Sequence, residues 1–226
     1  MTEPFRAPLI AIIGSDGSGK STVGEALLAW MQDRRPTVLH HLGKQTGGIG
    51  RAIARWPLVG RRLDSGIARR ADIAGAVRRP GIVPVLIIYM FSMRRLRRFR
   101  HMLADRGRGL AVLADRFPQL GVPGPMDGLG LAPVADAGGL RGRLARCERA
   151  HYAWMATHRP DLVIRLNVDL ATALARKPDH RPSTLARKIH DVPLLTFAGA
   201  PILDLDATRP LDQVIAQAKR AIEPLL

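Results

Sequence analysis

The stretch Ile10-Ala11-Ile12-Ile13-Gly14-Ser15-Asp16-Gly17-Ser18-Gly19-Lys20-Ser21-Thr22 limits what this chain can become more than any other part of it. An apolar, β-rich run, Leu9–Ile13, stops at a glycine. Three glycines fall within six residues, and a lysine and two hydroxyl side chains follow. From Ser21 to Gln32 the apolar residues Val23, Ala26, Leu27, Trp30 and Met31 recur on one helical face. The pattern is a buried strand, a turn without bulk, and an amphipathic helix. Backbone N–H groups of such a turn, together with those at the helix start, converge on one point and draw an anion to it.

The spacing Gly14-x-x-x-x-Gly19-Lys20-Ser21 satisfies the phosphate-binding P-loop pattern in its required strand and helix context. It predicts a donor nucleotide held by Gly14, Ser15, Asp16, Gly17, Ser18, Gly19, Lys20, Ser21 and Thr22. Lys20 bridges β- and γ-phosphates and Ser21 holds a metal, so ATP and Mg²⁺ are the expected cofactors. Asp115 follows the apolar strand Leu110–Ala114, where P-loop enzymes place an acid to orient the metal or its water. Arg116 stands beside it.

The rest of the chain alternates strand and helix patterns. Strands are expected at Thr37–Leu42, Asp161–Val168 and Pro201–Leu205. Helices are expected at Pro80–Leu103, Leu140–His158, Leu170–Arg176, near Ser183–His190 and at Pro210–Ile222, with a long Gly/Pro-rich loop over Phe117–Gly139. Alternation of this kind implies an α/β fold with a parallel sheet covered on both faces. The 226 residues suit a single domain. Cys147 is the only cysteine, which excludes an intramolecular disulfide and a multi-cysteine metal site. The longest apolar run, Ile82–Phe91, contains Pro84 and is too short to span a bilayer. Pro4, Arg6 and Pro8 interrupt any signal-peptide pattern, so a cytoplasmic location is expected. The net charge of +16 implies anionic company. Nucleic acid is one candidate, but only 4% of residues are aromatic, which leaves a stacking platform unsupported.

Several segments together resemble thymidylate kinases. "GSDGSGKST" is similar to their P-loop, with an acid inside it, and "ADRF" to their Asp-Arg-Tyr/Phe motif after the third strand. "RPDLVIRLNVDLATALAR" resembles their fourth strand and following helix, "ILDLDATRPLDQVI" their last strand, adenine-side loop and last helix, and "IIYMFSMRRL" the helix that sets an arginine over the acceptor. The resemblance implies a three-layer P-loop NTPase fold with a five-stranded parallel sheet in the order 2-3-1-4-5; the oligomeric state stays open, a homodimer being one assembly. It implies that Asp16 binds the acceptor's sugar hydroxyl and that Asp115, with Ser21, organises Mg²⁺. Arg116, Arg95 and Lys44 would bind the acceptor's anionic group. Arg176 and Arg181 would act on the transferring phosphate from a lid over about 176–190, and Ala207, Thr208, Arg209 and Pro210 would lie along the adenine.

Two departures bear on the acceptor. In the stretch Leu42–Gly50 the family's arginine is replaced by Gln45, with Lys44 beside it, and lysine lacks the bidentate fork that suits phosphate. After Phe117 a loop containing "GVPGPMDGLG" replaces a serine-rich helix start. The expected activity is ATP- and Mg²⁺-dependent phosphoryl transfer to a nucleoside monophosphate or related small anionic acceptor. A kinase for a hydroxyl group of a nucleoside, sugar or other metabolite, and a non-catalytic nucleotide-gated binding protein, stay open beside it.

Overall fold

The computed structural model describes residues 6–43, 80–124 and 126–226. Five strands, β1 (Leu9–Gly14), β2 (Thr37–His41), β3 (Ala111–Asp115), β4 (Leu162–Asn167) and β5 (Ile202–Asp206), pair in parallel in the order β2-β3-β1-β4-β5. The helices are α1 (Lys20–Gln32), α2 (Ile82–Gly107), α3 (Gly139–Ala156), α4 (Leu170–Arg176), α5 (Pro182–Asp191) and α6 (Leu211–Ile222). This is the α/β fold that the alternating pattern implies, with the strand order that the resemblance implies. Lys44 and residues 45–50 of the glycine-rich stretch lie outside the described residues.

β1 is central and buried along its whole length, so it reads as a continuous apolar run rather than an alternating one. Its successive residues still point to opposite faces. Leu9, Ala11 and Ile13 join Val112, Ala114 and Val163 under α2 and α3, whose Leu96, Phe99, Met102, Tyr152 and Met155 fill that layer. Ile10 and Ile12 join Leu113, Ile164 and Leu205 on the other face, against Val23, Leu27 and Met31 of α1 and Val214, Ala218 and Ile222 of α6.

The element boundaries differ by a residue or two from the sequence pattern except at the end of α2, which runs on to Gly107. There the apolar periodicity gives way to a buried arginine. Arg106 donates to the Ala7 carbonyl (2.7 Å) and to Asp161 Oδ2 (2.5 Å), and that same oxygen accepts Leu9 N–H (2.6 Å). A charge pattern that ends a helix on paper here clamps α2 to the starts of β1 and β4.

The loop after β3 is organised by buried polar groups. The Gln119 amide donates to the Val122 and Met126 carbonyls (2.6 and 2.8 Å) and accepts from Val122 N–H (2.8 Å). Glu148 of α3, fully buried, accepts from Ser92, Leu131 N–H and Gly130 N–H. Arg95 of α2, 1% exposed, donates to the Leu42 carbonyl (2.6 Å), the Asp127 carbonyl (2.9 Å) and the Tyr152 hydroxyl (3.1 Å), and pairs with the Asp127 carboxylate.

A buried ion pair stripped of one partner leaves an uncompensated charge. Asp127→Ala is therefore expected to lower the unfolding free energy by about 3–5 kcal/mol. Arg97→Ala, on the exposed side of the same helix, should stay within about 0.5 kcal/mol. Urea denaturation of the two variants checks the contrast.

Candidate phosphate-binding site

The loop between β1 and α1 turns where the pattern requires it. Gly17 has φ 82°, and a Cβ there would stand 2.7 Å from the Ala173 carbonyl oxygen of α4. Any other residue would be both strained and driven into that backbone. Three donors of this segment meet on one acceptor. The Ser15 carbonyl accepts from Ser18 N–H (3.3 Å), Ser18 Oγ (2.9 Å) and Lys20 Nζ (2.7 Å). Three donors on one carbonyl oxygen hold the loop in shape.

Burial pushes the Lys20 ammonium down to about 8, and the Arg116 charge pushes the same way, partly offset by Asp16, Asp115 and Asp127. Asp16 shows the opposite balance. Burial would raise its carboxyl, but the hydrogen bond and charge of Lys188, with Lys20 and Arg116, hold it below the ordinary carboxylate value.

Asp115 enters from β3, whose register sets it opposite Ile12 of β1 and His41 of β2. Its Oδ2 meets His41 Nδ1 at 3.1 Å, while its Oδ1 is buried with no hydrogen-bond partner. A buried carboxylate oxygen left unpaired is costly unless a cation or donor completes it. Arg116 has φ 64°, and its side chain passes so close over Gly43 that a Cβ there would lie 2.6 Å from Arg116 Cδ. It ends with Nη2 3.4 Å from Asp16 Oδ1.

A cleft opens beside the loop, lined by Thr22, Arg176, Ala207, Arg209, Leu211 and Val214 among others. Arg176 Nη1 spans its floor, donating to the Gly17 carbonyl (3.2 Å) and the Ala207 carbonyl (3.1 Å). Thr208 is turned back onto Asp206 Oδ1 through its N–H and hydroxyl (2.9 and 2.6 Å), and Pro210 precedes α6. Ser21 and Thr22 are exposed at the start of α1.

The structure thus gathers Gly14 to Thr22, Asp115, Arg116, Arg176 and Ala207–Pro210 in one region. Arg181 is exposed at the start of α5. Arg95, for which the resemblance implied a hold on the acceptor's anionic group, is 1% exposed. Its guanidinium is taken up inside the protein by Asp127, Tyr152 and Leu42.

No family model matches the chain. Two proteins of Escherichia coli strain K12 align with nearly all of it. The uncharacterized ATP-binding protein YghS is 40% identical over 223 residues, which is 96% of this chain and 93% of YghS. The uncharacterized ATP-binding protein YghR is 36% identical over 217 residues, 95% of this chain and 86% of YghR. This chain belongs to the YghS and YghR family.

In this family member several site groups escape a reading of the sequence. Lys188 of α5 reaches Asp16 Oδ2, and His180 Nε2 stands 3.7 Å from the same oxygen. His41 and Asp127 are the other two. Lys188 and His180 carried a signal as members of the basic segment expected to cover the transferring phosphate, although a solvated helix face was an equal reading for Lys188.

Lys20 generates a pH prediction. A phosphate-bearing anion favours the charged lysine, so its binding should raise the Lys20 pKa and take up a proton. As pH climbs through about 8 the empty loop loses that cation, and anion affinity should fall. An NMR titration of the lysine ε-carbon, assigned through Lys20→Arg, is expected to show a midpoint near 8 that moves upward when pyrophosphate is added.

Proposed function

We propose that this chain is a P-loop kinase that transfers the γ-phosphoryl group of ATP, with Mg²⁺, to a small anionic acceptor of the nucleoside monophosphate class, thymidylate-like in form. The observation that carries this reading is the convergence at the ends of β1 and β3. An anion-cradling loop, a lysine resting on a backbone carbonyl and a buried aspartate oxygen without a partner meet there. The ATP-binding names of YghS and YghR support the donor half. Among the described residues no helix is long and apolar enough to cross a membrane.

Lys20 would exchange the Ser15 carbonyl for phosphate oxygens, and the loop N–H groups would hold the same chain of phosphates. Ser21 and Asp115 would hold the metal. Asp115 Oδ1 fits that role because it is buried and unpaired. Mg²⁺ bound through one carboxylate, a hydroxyl and the substrate phosphates is the usual arrangement for this ion at phosphate sites. The metal supplies charge neutralisation on the phosphates. Since the loop itself carries no arginine, charge for the transferring group would come from Arg176 and Lys188, both bonded to the loop, and from Arg181 of the same segment. Asp16 would accept a hydrogen bond from an acceptor hydroxyl and Arg116 would bind its anionic group.

One observation favours a second reading, a hydroxyl acceptor. Arg95 is consumed by Asp127, which leaves Arg116 as the described arginine at Asp16, and the Asp115–His41 pair has the composition of a proton-accepting unit. A screen of ATP consumption across nucleoside monophosphates, nucleosides and sugars separates the two.

Two further outcomes are expected. Lys20→Ala should lower turnover by roughly 10²-fold or more without loss of fold, measured as ADP release on a variant with a native circular dichroism spectrum. Asp115→Asn should shift the Mg²⁺ concentration needed for half-maximal activity upward. Superimposable metal titrations of variant and wild type would assign Asp115 to the fold alone.

A further inference from the structure

Asp16 is the most heavily subscribed side chain of the described site. Its Oδ2 holds Lys188 and faces His180, and its Oδ1 faces Arg116. Lys188 arrives by design of the lid helix. Leu185 is buried and Ile189 packs against the same apolar layer, which turns the intervening Lys188 toward the loop. The preceding helix, α4, is tied to the same loop by Arg176, which donates to the Gly17 carbonyl. Lys188 is itself only 18% exposed, so it is not a surface charge that happens to lie nearby.

With Lys188 and His180 on Oδ2 and Arg116 on Oδ1, the charge of Asp16 is already compensated, and a hydroxyl of an acceptor finds a weaker and more crowded hydrogen-bond partner there. A terminal phosphate carries more charge than a carboxylate and offers more oxygens, so it competes well for an ammonium. We propose that Lys188 is a positioning residue passed from Asp16 to the donor's terminal phosphate, so that Asp16 opens to the acceptor only when a triphosphate is bound. This rests on the kinase reading above and adds an order to it: triphosphate first, acceptor second. After transfer the γ-phosphate is gone from the donor, and Lys188 returns to Asp16. The β-phosphate that then ends the diphosphate is the one taken up by the loop N–H groups and Lys20, so it competes less well for Lys188.

The test needs no acceptor. Dissociation constants of Mg²⁺-loaded ADP and of the non-hydrolysable β,γ-imido analogue of ATP are measured by calorimetry. The proteins are wild type, Lys188→Gln, Lys188→Arg, Asp16→Asn and the Asp16→Asn/Lys188→Gln double variant. The wild type should prefer the triphosphate analogue. Lys188→Gln should lose about tenfold of that preference with ADP affinity unchanged, and Lys188→Arg should retain it. Asp16→Asn should raise affinity for the analogue several-fold only where Lys188 is present, because it releases the lysine. An unchanged preference in Lys188→Gln overturns the exchange and makes the lysine a fixed tie. A gain from Asp16→Asn of equal size without Lys188 also overturns it, in favour of simple repulsion between carboxylate and phosphate. Failure of the wild type to bind either nucleotide would remove the kinase reading and this inference together, whereas binding without dependence on Lys188 removes the inference alone.

Discussion

β1 ends at Gly14 in the middle of the sheet, hydrogen-bonded to β3 on one side and β4 on the other, and the described site takes its geometry from that end. Parallel register sets Asp115 opposite Ile12 and Leu166 opposite Gly14. From β1 the chain leaves through α1 toward β2, while from β3 it leaves through α3 toward β4 on the opposite side. Neighbouring strands whose connections part in this way leave a crevice beyond their carboxyl ends. Loop, aspartate and lid residues are therefore neighbours because of strand order, not because of proximity in sequence.

This explains which parts of the molecule the sequence made legible. The strand, loop and first helix are local: the glycines, the lysine and the helical spacing of Val23, Leu27 and Met31 all act within a few residues of one another. Asp115 was legible because an acid ending an apolar strand is also a local sign. Arg95 was not, because its role depends on Asp127, 32 residues away, and on Tyr152, 57 residues away. The loop that carries Asp127 looks from its Gly and Pro content like an irregular connection. It is instead held by Gln119, Glu148 and Arg95, three buried polar side chains whose partners are mainly backbone groups. Periodicity of apolar residues cannot report bonds of that kind.

The arginine content acquires a structural meaning from the same bonds. Arg35 reaches the carbonyls of Leu226 and Gly109, Arg98 that of Gly43, Arg106 that of Ala7, and Arg165 those of Pro193 and Leu195. A guanidinium has five donors in a rigid plane and can close several chain segments at once. Scattered arginine in this chain is thus partly a set of cross-links between strand ends and loops. Its excess charge is not by itself a sign of a polyanionic partner.

The cations of the site follow the same rule with a different consequence. Lys20 rests on the Ser15 carbonyl, Arg176 on the carbonyls of Gly17 and Ala207, and Lys188 on the Asp16 carboxylate. Each has a partner before any ligand arrives, so none is a bare buried charge. Those partners differ in strength. A neutral carbonyl competes weakly with a phosphate oxygen, whereas a carboxylate competes strongly. Lys20 and Arg176 can therefore turn to an anion at small cost. Lys188, held by the stronger partner, is the costliest of the three to turn toward an anion.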